Sequence, residues 1–218
     1  MLYGIKNKVG KGRMSITQVV IEKEDLAPGI VVYKNVLDAR ESLVQDIEDS
    51  VLLSAISWQQ AYVTAGDETS INKNSRDTQV IGIPYSKSLV EDLSSPQSAF
   101  LSALGKKFFQ AFDPIELDYS SNYGISLGWH DSYQILKYGL GQKFTNHIDD
   151  HQQYPRRVST VYYINDNYLG GEINFPRFGI SYKPKANEMI VFPSTYVYNH
   201  SVSEVTEGTR YSIVSWLS

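Results

Sequence analysis

Hydrophobic positions along the chain change from a helical to a strand-like spacing near its middle. Before about residue 118, apolar residues recur at intervals of four, which is typical of amphipathic helices. After it, short apolar or alternating runs are separated by Gly, Pro and Asn, which indicates strands joined by turns. Strands are predicted at residues 133–138, 158–164, 171–175, 189–192 and 210–216. Their regular spacing favours a barrel or a sandwich.

Two helices are predicted in the first half. Asp38 is a candidate N-cap for a helix over residues 39–55. Pro96 is a candidate first residue of a second helix. We expect Asp113-Pro114 to end that helix, because proline cannot continue the helical hydrogen-bond ladder. The apolar faces would carry Leu43, Ile47 and Val51 in the first helix, and Phe100, Leu104, Phe108 and Phe112 in the second.

The order of these elements predicts a single domain of the α+β class, mainly β. The 218 residues are enough to bury one sizeable core. We expect a flexible lead-in at residues 1–15, a helical support region at 16–117 and a β core at 118–218. The polar stretch 65–77 is rich in Asn, Asp and Thr, and it is predicted to be a loop.

The composition removes several classes of function. Net charge is −4, so nothing indicates a general affinity for nucleic-acid phosphates. The chain has no cysteine, which excludes disulfides, thiolate metal sites and cysteine nucleophiles. No apolar run is long enough for a membrane span, and the basic N-terminal segment lacks the apolar stretch of a signal peptide. We therefore expect no membrane partner and, by default, a cytoplasmic location.

The candidate chemistry lies in the β half. His147 and Asp149 are two positions apart, so on a strand both side chains would point to the same face. His200 could return to that face through a hairpin or a crossover. Two imidazoles and one carboxylate on one side of a metal suit non-heme Fe(II) and leave the opposite positions open for substrate and oxygen.

Arg210 fits the same chemistry from the last predicted strand. A 2-oxo acid chelates iron through its 1-carboxylate and keto oxygen, and the far carboxylate of 2-oxoglutarate then needs a fixed cation. The planar fork of an arginine binds a carboxylate through two hydrogen bonds, which lysine cannot do. Decarboxylation to succinate and CO2 would be coupled to hydroxylation of an unactivated C–H bond.

These residues stand in a longer run that resembles a known family. The chain from residue 133 to its end is similar to the prolyl 4-hydroxylase-like branch of the 2-oxoglutarate/Fe(II)-dependent oxygenases. The resemblance implies a double-stranded β-helix, or jelly roll, braced by N-terminal helices. It also implies Fe(II) and 2-oxoglutarate as cofactors, with ascorbate as a further candidate. It rests on residues 134–149, 161–165, 170–172, 175–176, 199–202 and 209–216.

The resemblance also implies roles for individual side chains. His147, Asp149 and His200 would bind iron, and Arg210 the far carboxylate of 2-oxoglutarate. The further matching positions are cosubstrate-pocket and substrate-groove residues: Tyr138 and Tyr163 for the first, Arg156 and Trp216 for the second. One position departs from the family pattern, because Phe144 stands where peptide hydroxylases of the family often carry tyrosine.

Each of these side chains has a structural alternative. Tyr138 and Tyr163 could be ordinary barrel tyrosines, and Trp216 could be a core residue. Arg156 could belong to a solvated pair with Arg157. His151 follows the motif closely and could contact substrate, although a histidine at a strand end is more often solvated.

The leading hypothesis is an Fe(II)- and 2-oxoglutarate-dependent dioxygenase. It would hydroxylate a peptide, a protein or an amino acid with dioxygen, and proline is the first candidate. Other substrate classes for the same chemistry are lysyl residues, small molecules and nucleic acids. Nucleic-acid demethylation is disfavoured because Trp216 stands where such relatives carry a second arginine. Halogenation is disfavoured because Asp149 is intact. A non-catalytic jelly-roll binding module is the alternative outside the enzymes.

Overall fold

The computed structural model describes residues 22–37, 42–53, 56–65, 68–83, 95–128, 130–153 and 155–218. The predicted lead-in at 1–15 and the candidate cap Asp38 lie outside these ranges. Within the described residues the helices are α1 (Leu43–Leu52) and α2 (Pro96–Tyr123). The strands, β1 to β16 in chain order, are Glu22–Ala27, Ile30–Lys34, Gln59–Gln60, Val63–Ala65, Glu68–Ser70, Gln79–Ile83, Tyr133–Tyr138, Phe144–His147, Val158–Tyr163, Leu169–Gly170, Ile173–Phe175, Ile180–Tyr182, Glu188–Pro193, His200–Val202, Val205–Glu207 and Arg210–Leu217.

Two antiparallel sheets form the body of the molecule. The major sheet has eight strands in the order β1-β2-β13-β9-β16-β7-β6-β3. The minor sheet has four, in the order β12-β11-β14-β8. Two short pairs, β10-β15 and β4-β5, lie outside them. Strands that are neighbours in each sheet come from distant parts of the chain, as in a jelly roll. The predicted α+β, mainly β class is confirmed.

The central strands of the major sheet are buried on both faces, because a layer packs on each side of them. Strand β9 shows the consequence, since all six of its residues are buried. Val161 and Tyr163 belong to the core between the two sheets, together with Ile173 and Phe175 of β11. Residues of the opposite parity face the helices. That second core joins the sheet to α1 and α2 through Tyr162, Tyr133, Ile135, Leu43, Ile47, Phe108, Phe112 and Ile115.

Helix α2 begins where the sequence predicts and ends ten residues later than expected. The Ser95 side chain accepts a hydrogen bond from the Ser98 backbone N–H, and Pro96 is the first helical residue. The predicted end at Asp113-Pro114 is wrong, because the helix continues through Pro114 to Tyr123. Buried side chains on both sides of the proline hold the helix against the sheet, and Tyr119 donates a hydrogen bond of 2.8 Å to the Gly29 carbonyl. This packing outweighs the lost backbone bond.

Other boundaries are closer to the prediction. Helix α1 is shorter than the predicted 39–55, and Ser42 rather than Asp38 precedes its first residue. The predicted loop 65–77 contains strand β5 and closes the β4-β5 hairpin, so that prediction is wrong in part. A polar hairpin of three-residue strands carries no apolar alternation from which it could be read. Among the described residues, no helix is long and apolar enough to cross a membrane.

Candidate metal centre

The two sheets bring His147, Asp149 and His200 together at one end of the space between them. His147 ends β8 and His200 begins β14, and the two residues are direct partners in the antiparallel register. Asp149 lies two residues beyond β8, so the expectation that both members of the His-x-Asp pair stand on a strand is wrong. One ligand atom from each residue lies within 4.8 Å of the others.

Each histidine presents one defined nitrogen to this cluster. The Nδ1 atom of His147 lies 2.8 Å from the Thr145 carbonyl oxygen, and the Nδ1 atom of His200 lies 3.1 Å from that of Tyr198. A carbonyl only accepts, so Nδ1 donates in both rings, and Nε2 is the nitrogen left to contact a metal. Both Nε2 atoms face Asp149, at 3.5 Å for His147 and 3.6 Å for His200.

Burial and hydrogen bonding prepare the same groups for a metal. Burial lowers the pKa of His200 to about 4, although the Asp149 carboxylate opposes that shift, so the ring is neutral near pH 7. Burial alone would raise the pKa of Asp149. His200, His147 and a hydrogen bond donated by Ser159 outweigh burial and hold that pKa well below its usual range. A neutral imidazole at His200 and an ionised carboxylate at Asp149 are the protonation states that a divalent cation requires of these two residues.

Ser159 is a residue that sequence reasoning missed. It lies on β9 and is buried, and its hydroxyl donates a 2.7 Å hydrogen bond to Oδ2 of Asp149. The hydroxyl of Ser194, which is also buried, lies 2.8 Å from the Ser159 hydroxyl. The backbone carbonyl of Ser194 accepts a hydrogen bond of 3.0 Å from the Asp150 backbone N–H. These contacts fix a ligand that no strand ladder holds. No spacing rule connects Ser159 with Asp149, so the sequence carried no signal for it.

A cavity of about 940 Å³ is lined by residues of both sheets. Its lining includes the three candidate metal ligands and Arg210. Arg210 begins β16 and is the register partner of Tyr138 on β7. Its guanidinium carbon lies 4.9 Å from the ring centre of Tyr138 and 5.0 Å from that of Tyr163. Candidate metal and candidate carboxylate anchor therefore share one cavity.

Arg210 is fully buried and lacks an acidic partner among the described residues. Its side chain donates one hydrogen bond of 3.0 Å, from Nη1 to the Ser212 hydroxyl, and its Nε atom has no partner in the described part of the chain. An uncompensated buried cation is costly, so this guanidinium fits an anion delivered by a ligand. Ser212 was missed by sequence reasoning. Its position two residues after Arg210 on a strand, hence on the same face, was the available signal.

The remaining predicted site residues lie around this cavity with one difference. Tyr138, Arg156 and Trp216 line it. Tyr163 packs against Arg210 but is not part of the cavity wall that the described residues form. Burial raises the pKa of Tyr163, so its hydroxyl keeps its proton.

Arg156 and Trp216 form one unit on the cavity wall. The guanidinium carbon of Arg156 lies 3.8 Å from the Trp216 ring centre. The same guanidinium donates to the Asp131 carboxylate at 3.0 Å and to the Asp149 carbonyl at 3.3 Å. The alternative of a solvated Arg156 is therefore wrong in geometry, since this side chain is engaged on three sides. Its role towards substrate stays a prediction.

Comparison with known proteins gives a consistent family. A sequence model described as the 2OG-Fe(II) oxygenase superfamily matches residues 133–218. A PKHD-type hydroxylase of Prochlorococcus marinus is 35% identical over 177 residues, which cover 78% of this chain and 71% of that protein. A PKHD-type hydroxylase of Rippkaea orientalis is 33% identical over 95 residues, covering 39% of this chain and 42% of that protein. This chain therefore covers less than half the length of the Rippkaea orientalis protein.

Solved structures show the same fold at low sequence identity. A prolyl 4-hydroxylase of Pseudomonas putida superimposes with a TM-score of 0.65 at 19% identity, covering 87% of this chain and 92% of that one. A prolyl hydroxylase from Trichoplax adhaerens, solved with a peptide fragment of a hypoxia inducible factor oxygen degradation domain, gives 0.67 at 18% identity, covering 87% and 83%.

The fold is a jelly roll, and its His-Asp-His cluster has the donor set of a non-heme iron site. The chain belongs to the 2OG-Fe(II) oxygenase superfamily, in its prolyl 4-hydroxylase-like branch. This membership confirms the predicted family, the dioxygenase class, and Fe(II) and 2-oxoglutarate as cofactors. The donor set fits the iron, and the unpaired buried guanidinium of Arg210 fits the far end of the cosubstrate.

Proposed function

We propose that this protein hydroxylates a peptidyl or amino-acid substrate, with a prolyl residue as the first candidate. The observation that carries the proposal is the shared cavity, which is lined by three metal donors and by Arg210, a buried cation without a counter-ion among the described residues. Bound iron, with 2-oxoglutarate and dioxygen, supplies the conversion of a C–H bond to C–OH while 2-oxoglutarate becomes succinate and CO2.

The side chains of the protein have distinct roles in this proposal. His147, Asp149 and His200 would hold the metal through their free Nε2 and carboxylate atoms. Arg210 would bind the far carboxylate of 2-oxoglutarate. The hydrogen bond that its guanidinium donates to the Ser212 hydroxyl would orient it. These contacts would fix the cosubstrate at both ends before a substrate arrives. Burial of Arg210 keeps water away from that end and strengthens the charge–charge attraction.

The substrate side of the proposal rests on the outer part of the cavity. Arg156 and Trp216 would form a wall beside the metal ligands, positioned by the Asp131 carboxylate. Tyr138 would contact the cosubstrate, and the ring of Tyr163 would pack against the guanidinium of Arg210. The relatives named as hydroxylases, and a neighbour solved with a peptide, favour a peptidyl substrate. Phe144 lacks the hydroxyl that peptide hydroxylases often carry there, so lysyl residues and free amino acids stay on the list of substrates to test.

An anaerobic titration with Fe(II) and 2-oxoglutarate tests the cofactor part. A weak visible charge-transfer band should develop with the wild type and saturate at one equivalent of each. His147→Ala should remove the band by losing the metal. Arg210→Met should keep metal binding and weaken 2-oxoglutarate binding. A band that is unchanged in both variants would show that the cofactors bind elsewhere.

Mass spectrometry then tests the substrate part. We expect one added oxygen atom on a member of a panel of proline peptides, lysine peptides and free amino acids. The product must require Fe(II), 2-oxoglutarate and dioxygen together, and His147→Ala is the control without activity. A panel without any product, from a protein that shows the charge-transfer band, would contradict the substrate class and leave the cofactors in place. Dependence on ascorbate and the cytoplasmic location stay predictions.

A further inference from the structure

Arg76 is a second cation on the cavity wall that the proposed reaction does not use. It follows the β4-β5 hairpin and lines the same cavity as the metal ligands. Its guanidinium carbon lies 5.0 Å from the ring centre of Phe144. The Phe144 ring in turn stacks on His147, with ring centres 3.6 Å apart and planes 15° from parallel. Arg76 is thus separated from a candidate metal ligand by a single aromatic ring.

The backbone around Arg76 is fixed to the strand that carries His147. Arg76 and Phe144 form an antiparallel bridge. The Asp77 N–H donates to the Lys143 carbonyl at 3.0 Å, and the Thr145 N–H donates to the Ser75 carbonyl at 2.8 Å. The segment therefore extends the edge of β8, and it holds the guanidinium at a set distance from the metal cluster.

The described residues supply no counter-ion for Arg76. Among the described residues no carboxylate lies within salt-bridge distance of it. Nη1 donates to the Tyr62 carbonyl at 3.0 Å, whereas the buried Nε has no partner in the described ranges. Asp77, its neighbour in sequence, accepts instead from Gln142 at 3.2 Å and lies 4.0 Å from Lys73. A positioned guanidinium that faces a cavity without a counter-ion is suited to binding an anion.

The other charges of the cavity already have roles or partners. Arg210 lies at the cosubstrate end, and Arg156 is paired with Asp131. Asp149 belongs to the metal cluster, and the exposed Asp150 accepts from the Arg156 backbone N–H at 3.3 Å. Iron, 2-oxoglutarate, Asp149 and Arg210 together carry no net charge. The remaining lining carboxylate of the described residues, Asp150, lies outside salt-bridge distance of Arg76, so the guanidinium of Arg76 is left to bind an anionic group of the substrate.

We propose that Arg76 binds a carboxylate group of the substrate next to the carbon that is hydroxylated. This inference rests on the proposed function and narrows it to substrates with an acidic group beside the reacting residue, such as a prolyl peptide with an adjacent glutamate. The face of the Phe144 ring holds the guanidinium of Arg76 in place through a cation–π contact.

Calorimetric titration with matched peptides tests the site. The protein is loaded with Mn(II) and 2-oxoglutarate under anaerobic conditions, so that binding is measured without turnover. Short proline peptides that differ only in Glu or Gln beside the proline are the probes. The wild type should bind the Glu peptide about tenfold tighter than the Gln peptide. Arg76→Gln should bind both with the affinity of the wild type for Gln, and Arg76→Lys should retain part of the preference.

Lys73→Gln is the control variant. Lys73 is an exposed cation on the same segment that does not line the cavity, so this variant should keep the full preference. Equal affinity of the wild type for both peptides, binding of neither, or a preference that survives in Arg76→Gln would overturn the proposal. A clear Glu preference without any added oxygen under aerobic conditions with Fe(II) would support the Arg76 site and count against the proposed reaction.

Discussion

Asp149 lies beyond the end of a strand, so its carboxylate depends on side-chain contacts for its position. Ser159 supplies the shortest of these, the 2.7 Å hydrogen bond to Oδ2. Residues that orient a metal ligand typically contribute about 10- to 100-fold in metal affinity. We expect Ser159→Ala to raise the anaerobic Fe(II) dissociation constant by about that factor. Ser159→Thr, which keeps the hydroxyl, should restore most of the affinity.

A matched control separates this positioning effect from the loss of any buried hydroxyl. Ser215 is equally buried, and its hydroxyl donates to the Asp131 carbonyl, away from Asp149. Ser215→Ala should leave the Fe(II) dissociation constant within about twofold of the wild type, since it removes no contact to a ligand. The same weakening in both variants would mean that Ser159 acts only through general stability.

At the scale of elements, the strands of the core could be predicted and the supporting elements only in part. The apolar runs of β7, β9 and β16 predicted the ends of these strands to within one residue, because burial on one or both faces requires apolar residues at regular positions. Strand β1 is mostly charged and exposed, so it has no such mark. Helix α2 passes through Pro114 because tertiary packing on the sheet compensates the local penalty, and this cannot be read from a local window.

A buried pair fastens the extended part of α2 to the end of the major sheet. The Nε2 atom of His130 lies 3.1 Å from Oε1 of Glu116, and both side chains are buried. Glu116→Ala would leave the ring without this partner, so we expect the free energy of unfolding to fall by about 2–3 kcal/mol. Leu117→Ala is the control, because Leu117 on the same turn is exposed and should cost within about 0.5 kcal/mol. Urea denaturation measures both. Similar losses in the two variants would contradict a specific role for the pair.

At the scale of the whole molecule, the sequence predicted candidate ligands for the site but not the residues that support them. His147 is more than fifty residues from both His200 and Arg210, and a family resemblance together with strand parity predicted that they meet in one site. The contacts that hold them come from β9, from residue 194 and from the segment before β6, and each depends on the folded topology. The sequence accordingly predicted what the site binds. It did not predict which residues hold the site side chains in position, and these are seen only in the hydrogen bonds of the folded structure.

The proposed role of Arg210 predicts that the stability of the whole molecule depends on its cosubstrate. A buried guanidinium without a counter-ion among the described residues carries a desolvation cost in the ligand-free protein, and an apolar side chain at this position removes that cost. We expect Arg210→Met to melt at the same temperature as the metal-loaded wild type, or above it, when 2-oxoglutarate is absent. The wild type should gain about 2.7 kcal/mol at a 2-oxoglutarate concentration of about 100 times its dissociation constant. In a chain of this size that gain raises the melting temperature by about 5–10 °C.

Arg210→Met should lose this 2-oxoglutarate-dependent rise in melting temperature. Arg157→Met, outside this cavity, should keep it. A variant of Arg210 that melts well below the wild type and still responds fully to 2-oxoglutarate would show that the buried charge is balanced within the protein and that the cosubstrate is held by other groups.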